Sequence, residues 1–346
     1  MAGRPELRLA DLAYVLPAEL IAQEPAPERS AARLLVLDRA SGERRHLGVR
    51  DLPACLRAGD LLVVNDTRVI PARVAARRPS GGRLEVLFVR PLAEEAEWEV
   101  LVGGAPRAGE RVHLPQAEGE WIACLGDGRW HLRLRVDAPV PVWLDRVGEV
   151  PLPPYIRRPH GPAPTDRERY QTVYARAAGA VAAPTAGLHL TEALLDELRR
   201  AGIEIASLTL HVGPGSFLPL RDEVLGTAVI ASERYELPPA TVDRIRAAQV
   251  RGSRVLAVGT TTVRALESAA VDGTLRAGPG EAELFIRPGH RFRVVDVLLT
   301  NFHLPRSSLL ALVAAFAGWE RTQAAYADAV RLRYRFYSFG DAMLIT

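Results

Sequence analysis

Six short runs of alternating apolar and polar residues, all within residues 70–136, constrain the fold of this chain more than any other feature. Glycines separate most of the runs, and the clearest run, residues 131–136, alternates strictly, as a half-buried strand does. No helical pattern lies between the runs to support a parallel sheet. Six short strands within about 80 residues therefore predict a small closed β-barrel.

A different pattern flanks this segment on both sides. Residues 61–65 form an apolar run of strand length, and strand–turn–helix units return in the second half of the chain. In the clearest unit, a strand at 253–258 is followed by a turn at Gly259 and by a helix that begins with three threonines. We therefore expect the fold class α/β, with a barrel-like α/β main domain interrupted by an inserted, all-β, six-stranded barrel domain. The expected domain bounds are 1–68 and 149–346 for the main domain and 69–148 for the insert.

The strand with the most informative end is predicted at residues 294–300. Asn301 and His303 follow it, and Ser307 or Ser308 can cap the apolar helix that comes next. Ligands of α/β folds bind at the carboxyl ends of strands, so this turn is a candidate site. A buried turn whose side chains only satisfy backbone groups explains the same pattern equally well.

Polar side chains follow other predicted strands as well. Threonine hydroxyls and free N–H groups at a helix start suit a carboxylate, a phosphate or a ribose. HExxH and GxSxG are absent from the sequence, and no GxGxxG follows the first strand, which argues against a zinc protease, an α/β-hydrolase and a Rossmann oxidoreductase. The residues alone predict a metal-free polar pocket and leave the reaction open. The side chains in question are Asp66, His189, His211, Thr260, Thr261 and Thr262.

The types of charged and sulfur-containing residue exclude further chemistry. All 44 basic residues are arginine, so the chain has no Schiff-base, P-loop or kinase-type lysine. Cys55 and Cys124 are too few for a cysteine-ligated zinc site or an iron–sulfur cluster on this chain alone. A pI near 9.1 permits a nucleic-acid partner. The N-terminus has acidic residues where a signal peptide needs an apolar core, and the longest apolar run is too short for a bilayer, so we expect a cytoplasmic protein.

Seven segments carry a family resemblance: NDTRVIPAR, PLPPYIRR, AAPTAGLHLT, TLHVGPGSFLP, VGTTTVRALE, VVDVLLTNFHLPRSSL and YRFYSFGDAMLI. Together, over residues 11–345, they resemble the S-adenosylmethionine:tRNA ribosyltransferase-isomerases of queuosine biosynthesis, the QueA family. The resemblance implies transfer and isomerisation of the ribosyl group of S-adenosylmethionine onto 7-aminomethyl-7-deazaguanine at the wobble position of tRNAs with a GUN anticodon. Epoxyqueuosine, adenine and methionine would be the products. We also expect S-adenosylmethionine as co-substrate, no metal, no permanently bound cofactor and no membrane partner, and we expect a monomer, although the sequence leaves the oligomeric state open.

Such a reaction needs a base, an acid for the departing adenine and a group that holds methionine. We expect proton transfer by His211, His303 and His189, because a neutral imidazole suits either direction, although histidines at strand ends are often structural. The expected S-adenosylmethionine-binding residues are Gly213, Gly215, Phe217, Glu233, Tyr235, Gly259, Thr260, Thr261, Thr262, Arg264, Asn301 and Phe302. Arg264 and the helix start would hold the methionine carboxylate, and Phe217, Tyr235 or Phe302 would face the sulfonium.

The expected contacts to tRNA are Asp66, Arg68, Arg73, Arg157 and Arg158. Arg157 and Arg158 lie on a proline-rich segment, which proline keeps extended and which could equally be only a rigid linker. Removing an arginine that contacts RNA should weaken binding and flatten its dependence on salt.

Two alternatives stay open, and the first of them rests on a departure from the family. The family usually has an H-x-M-H-x-E-x-Y segment, and here Ala228 and Ala231 replace its two histidines, while Glu233 and Tyr235 remain. The chain could therefore be a catalytically impaired tRNA-binding homologue. The other alternative is an S-adenosylmethionine-dependent RNA methyltransferase, which should carry a glycine-rich loop after the first strand, and this chain has none there.

Overall fold

The computed structural model describes residues 8–94, 96–217 and 230–346. Ala228 lies outside the described residues, as does the side chain of Phe217. The strands are β1 (Arg33–Leu37), β2 (Arg44–Gly48), β3 (Leu61–Asn65), β4 (Thr67–Val69), β5 (Arg73–Arg77), β6 (Arg83–Pro91), β7 (Glu97–Val102), β8 (Arg111–Leu114), β9 (Ala117–Gly126), β10 (Arg129–Arg135), β11 (Ala177–Ala180), β12 (Glu204–Leu210), β13 (Arg234–Leu237), β14 (Val255–Val258), β15 (Gly278–Glu281), β16 (Val297–Asn301) and β17 (Ala342–Ile345).

The helices are shorter than a typical membrane span. Of those in the described ranges, none combines the length and the apolar character that crossing a membrane requires. The α-helices are α1 (Leu52–Cys55), α2 (Val140–Val147), α3 (Asp166–Arg169), α4 (Glu192–Arg200), α5 (Pro239–Val250), α6 (Thr260–Ala269), α7 (Ser308–Ala317) and α8 (Trp319–Arg331).

The main sheet has nine strands in the order β15-β13-β12-β3-β14-β16-β17-β1-β2. Its centre, β12-β3-β14-β16, is parallel. Successive side chains of β3 enter cores on opposite faces: Leu61 and Val63 join one apolar cluster, and Leu62 and Val64 join another. Burial on both faces explains why this strand is a continuous apolar run in the sequence.

The six runs of residues 70–136 form a closed barrel in the order β10-β7-β6-β5-β8-β9. Its interior is filled by aromatic side chains, including Phe88 and Trp121, and α2 adds Trp143, whose ring centroid lies 5.6 Å from that of Phe88. The fold class is therefore confirmed: a mixed α/β main sheet with an inserted six-stranded β-barrel. The domain bounds stay a prediction.

The strand predicted before Asn301 is shorter in the structure. β16 begins at Val297, three residues after the predicted start at residue 294. The backbone N–H groups of Val294 and Val295 instead donate to the carboxylate of Glu267, at 3.0 and 3.1 Å. This buried carboxylate replaces the strand partners that the apolar pattern led us to expect.

Candidate active site

A pocket lies at the carboxyl ends of β14 and β16, which are adjacent parallel strands. Five of the expected site residues line it: Gly259, Thr260 and Thr261 after β14, and Asn301 and His303 after β16. The complete lining in the described part of the chain is Tyr155, Ala183, Pro184, Thr185, Ala186, Val212, Gly259, Thr260, Thr261, Thr300, Asn301, His303, Leu304, Ser307, Leu309, Tyr337 and Ser338.

Gly259 forms the turn that brings the start of α6 to this pocket. Its φ is +91°, a left-handed conformation that a residue with a Cβ adopts only at a cost. Thr260 and Thr261 therefore line the pocket at the amino end of α6. Thr262 does not, because its fully buried hydroxyl donates to the carbonyl of Val258 at 2.7 Å.

Three hydrogen bonds hold the side chain of Asn301 in place. Its Oδ1 accepts from the hydroxyl of Thr185 at 3.0 Å, and its Nδ2 donates to the carbonyl of Tyr337 at 3.1 Å. The same Nδ2 lies 3.2 Å from Nε2 of His189. His189 thus stands directly behind the pocket wall, and burial lowers its pKa to about 4, so it is neutral at neutral pH.

His303 is the expected histidine that lines the pocket itself. Its Nε2 lies 2.8 Å from Oγ1 of Thr300, another lining residue. Two tyrosines hold its backbone, because its N–H donates to the hydroxyl of Tyr326 and its carbonyl accepts from that of Tyr14. Burial lowers the pKa of His303 to about 3, so this ring is also neutral at neutral pH.

Two aromatic residues that we did not expect complete the wall. The rings of Tyr155 and Tyr337 stack with centroids 4.4 Å apart and an interplanar angle of 30°, and the hydroxyl of Tyr155 lies 2.7 Å from that of Ser338. Tyr337 has a φ of +70°, unusual for a bulky residue. The only sequence signal for these residues was their place in two segments of the family resemblance.

His211 is not among the described residues that line the pocket. Its Nδ1 lies 2.9 Å from Oγ1 of Thr67, beside Asp66, whose carboxylate is held by Thr209 and Arg176, each at 2.6 Å. Partial burial lowers the pKa of His211, and the charge of Arg234 lowers it further against the opposing effect of Asp66.

The interior side chain of Asn65 connects this cluster to the pocket. Its Oδ1 accepts from the backbone N–H of Thr67 at 3.1 Å, and its Nδ2 donates to Oγ1 of Thr261 at 3.4 Å. The two groups of expected residues therefore share one hydrogen-bond network.

Arg264 and Glu233 form a buried ion pair instead of facing the pocket. Arg264 also donates to the carbonyls of Ala231 and Ala282, and Glu233 accepts from the N–H of Gly213 at 2.9 Å. The two segments around this pair pack closely, since a Cβ on Gly215 would lie 2.6 Å from that of Ala231.

Neither of the described aromatic residues expected to face the sulfonium lines the pocket. Phe302 is fully buried among Tyr326, Tyr334 and Phe336, with ring centroids 5.2–5.6 Å away. The ring of Tyr235 covers Gly280, where an added Cβ would meet it at 2.4 Å. Both aromatic rings therefore pack against other residues of the protein and do not face the pocket.

The four arginines expected to contact tRNA divide into two pairs. Arg68 and Arg157 are exposed, and their guanidinium groups have no partner in the described part of the chain. Arg73 donates to the carbonyl of Leu152 at 2.8 Å, and Arg158 forms a two-pronged contact with the buried Asp166 at 2.8 and 2.9 Å. Only the first pair is available to a partner.

Comparison with known proteins assigns this chain to a family. The family model described as "Queuosine biosynthesis protein" matches residues 9–345. Two relatives carry the name S-adenosylmethionine:tRNA ribosyltransferase-isomerase. The one from Citrifermentans bemidjiense is 51% identical over 340 residues, which cover 97% of this chain and 99% of the relative. The one from Anaeromyxobacter sp. strain Fw109-5 is 50% identical over 344 residues, which cover 98% of this chain and 99% of the relative.

A crystal structure agrees with this assignment. The S-adenosylmethionine tRNA ribosyltransferase from Thermotoga maritima is 36% identical, with a TM-score of 0.57 over 97% of this chain and 100% of that chain. The match of sequence and fold over nearly the whole length confirms the resemblance. The chain belongs to the S-adenosylmethionine:tRNA ribosyltransferase-isomerase family of queuosine biosynthesis proteins.

Proposed function

We propose that this chain transfers and isomerises the ribosyl group of S-adenosylmethionine onto 7-aminomethyl-7-deazaguanine at the wobble position of tRNA, giving epoxyqueuosine, adenine and methionine. One observation carries the proposal: segments of the family resemblance that are far apart in the chain meet in one pocket. They contribute Tyr155, residues 183–186, residues 259–261, residues 337–338 and, after β16, Thr300, Asn301, His303, Leu304, Ser307 and Leu309. The names of the relatives support the reaction class and give the methyltransferase alternative no support.

The chemistry follows from the sulfonium of the co-substrate. A sulfonium acidifies the protons on its neighbouring carbons, so a base can remove one from the ribosyl C5′ and leave an ylide. Adenine departs, the aminomethyl amine of the tRNA base captures the sugar, and expulsion of methionine closes the epoxide. The protein must position the reactants and move protons.

His303 is the proton-transfer residue that we propose for the pocket, with Thr300 as its hydrogen-bond partner. A buried, neutral imidazole is a weak base but a good hydrogen-bond donor, which suits the departure of adenine. His189 acts on the pocket through Asn301. His211, less strongly perturbed, is our candidate for the first base, and it must reach the ribosyl proton with its own imidazole, while its contact with Thr67 positions the ring.

The proposal includes the finer properties of the substrate and the protein. The tRNA has a GUN anticodon and presents its anticodon loop to the exposed arginines Arg68 and Arg157. The enzyme works in the cytoplasm, where tRNA is modified, and as a monomer, which is consistent with a pocket built from one chain. S-adenosylmethionine is its co-substrate, and no metal takes part.

The test is incubation of the purified protein with S-adenosylmethionine and a GUN-anticodon tRNA that carries the aminomethyl-deazaguanine, followed by mass spectrometry of the nucleosides. We expect a cyclopentanediol-epoxide adduct together with free adenine and methionine. The same tRNA with guanine at the wobble position is the matched control and should stay unchanged. A tRNA that binds but is never modified would contradict the proposal and identify Ala228 and Ala231 as the first residues to replace by histidine.

A further inference from the structure

The described lining of the pocket contains no charged side chain. It consists of hydroxyl, amide, imidazole, aromatic and aliphatic groups, and its one histidine, His303, is neutral at neutral pH. Burying an isolated carboxylate or ammonium without a partner is strongly unfavourable. These walls are therefore a poor place for the charged amino-acid end of S-adenosylmethionine.

The arginine that we expected to hold that end is committed elsewhere. Arg264 is paired with the buried carboxylate of Glu233, and its guanidinium also donates to two backbone carbonyls. Releasing Arg264 towards the pocket would break this buried ion pair and both hydrogen bonds to backbone carbonyls. The structure thus favours a different part of the co-substrate as the occupant.

The lining groups match a neutral nucleoside. Tyr155 and Tyr337 present stacked aromatic rings of the kind that a purine packs against. Thr260 is 94% buried at the amino end of α6, and its hydroxyl has no hydrogen-bond partner among the described residues. A ribose hydroxyl could supply that partner, with the neighbouring Thr261 beside it.

We propose that this pocket binds the adenosyl part of S-adenosylmethionine, with the purine against Tyr155 and Tyr337 and the ribose at Thr260 and Thr261, while the charged methionine end lies outside the described lining. The inference rests on the proposed function in taking S-adenosylmethionine as the co-substrate. It places the departing adenine beside His303 and Asn301.

Competition binding without tRNA tests this assignment. The probes are 5′-methylthioadenosine, a neutral nucleoside with the same purine and ribose, and L-methionine, the charged end alone, each titrated against S-adenosylmethionine by calorimetry. We expect the nucleoside to compete with a Kd within about tenfold of that of S-adenosylmethionine, and methionine not to compete at millimolar concentration. Competition by methionine but not by the nucleoside would overturn the assignment.

Two pairs of variants locate the contacts. Tyr155→Leu should weaken nucleoside binding at least tenfold, whereas Tyr155→Phe keeps the ring and should stay within about threefold. Thr260→Val should weaken it by about tenfold, and Ser268→Ala, which removes a hydroxyl further along α6 and away from the pocket, should leave it unchanged. Circular dichroism confirms that each variant is folded. Unchanged nucleoside binding by a folded Tyr155→Leu would contradict the purine position.

The assignment and the proposed function fail in different ways. A nucleoside that binds while the aminomethyl-deazaguanine tRNA stays unmodified supports the pocket assignment and contradicts the ribosyl transfer. A tRNA that is modified while only methionine competes contradicts the pocket assignment and leaves the ribosyl transfer standing.

Discussion

The side-chain amide nitrogen of Asn301 donates to Nε2 of His189 across 3.2 Å, and this contact fixes the state of both side chains. The carbonyl of Tyr337, 3.1 Å from the same atom, can only accept, so the atom must be the nitrogen of the amide. His189 therefore accepts at Nε2 and, being neutral, carries its proton on Nδ1.

Asn301→Asp tests this arrangement. A carboxylate oxygen would face two acceptors, so we expect a loss of about 1–3 kcal/mol in the free energy of unfolding at pH 7. The carboxylate also raises the pKa of His189, so the loss should shrink as the pH falls and His189 takes up a proton. Urea unfolding at pH 7 and pH 5 measures both effects. Equal stability of the two proteins at pH 7 would contradict the assigned hydrogen bonds.

The buried histidines should make the free energy of unfolding depend on pH at values below the ordinary pKa of histidine. Burial lowers the pKa values of His303 and His189 to about 3 and about 4, so the unfolded chain takes up these protons first. The two neutral rings therefore make their full contribution to the free energy of unfolding above about pH 6.5. This contribution decreases as the pH falls towards the lowered pKa values, by up to about 1.4 kcal/mol per pH unit for each ring. His303→Gln should reduce this slope, and the exposed His160→Gln should not. Parallel slopes for His303→Gln and the unaltered protein would contradict the prediction.

Gly259→Ala should be destabilising because a φ of +91° is unfavourable for alanine. We expect a loss of about 1–2 kcal/mol in the free energy of unfolding. Gly103 is the matched control: its φ lies outside the left-handed region, and an added Cβ meets nothing within 4 Å. Gly103→Ala should be neutral or slightly stabilising. Denaturant unfolding of both variants distinguishes the conformational cost from a general effect of adding a methyl group.

Glu233→Gln tests how much the buried ion pair contributes to the free energy of unfolding. Arg264 would remain buried without a counter-charge, which we expect to cost about 3–5 kcal/mol in the free energy of unfolding. The exposed pair of Glu204 and Arg251 provides the control, and Glu204→Gln should change stability by less than about 1 kcal/mol. Similar effects of the two substitutions would show that burial of the first pair carries no special cost.

Arg157→Ala should weaken tRNA binding without affecting the fold, because its exposed guanidinium has no hydrogen-bond or ion-pair partner in the described part of the chain. We expect the slope of log affinity against log salt to become shallower by about 0.7–0.9. Filter binding at several salt concentrations measures it, with the exposed Arg200→Ala as control. An unchanged slope would remove Arg157 from the interface.

Arg158→Ala should instead destabilise the fold, since it leaves the buried Asp166 without its cation.

Local patterns in the sequence were enough to predict the barrel and the strand-end site. Alternation within each run depends only on neighbouring residues, so all six barrel strands were found. Gly259, Asn301 and His303 were expected to lie near one another because the ends of parallel strands share one edge of the sheet, and they line one pocket; their role as site residues stays a prediction.

Long-range contacts explain what the sequence did not reveal. Glu267 accepts hydrogen bonds from the backbone N–H groups of Val294 and Val295, and Glu233 forms an ion pair with Arg264. No local pattern in the sequence indicates either contact. The stacking of Tyr155 on Tyr337 likewise joins residues far apart in the chain, and no local pattern indicates the left-handed φ of Tyr337.

The most direct test of the central claim follows two labels from S-adenosylmethionine. One preparation carries ¹³C in the ribosyl carbons and the other carries ¹³C in the methyl group, and each is incubated with the protein and the aminomethyl-deazaguanine tRNA. We predict that mass spectrometry finds the ribosyl label in the tRNA nucleoside and the methyl label in free methionine. The methyl label in the tRNA, with the ribosyl label in S-adenosylhomocysteine, would contradict the account.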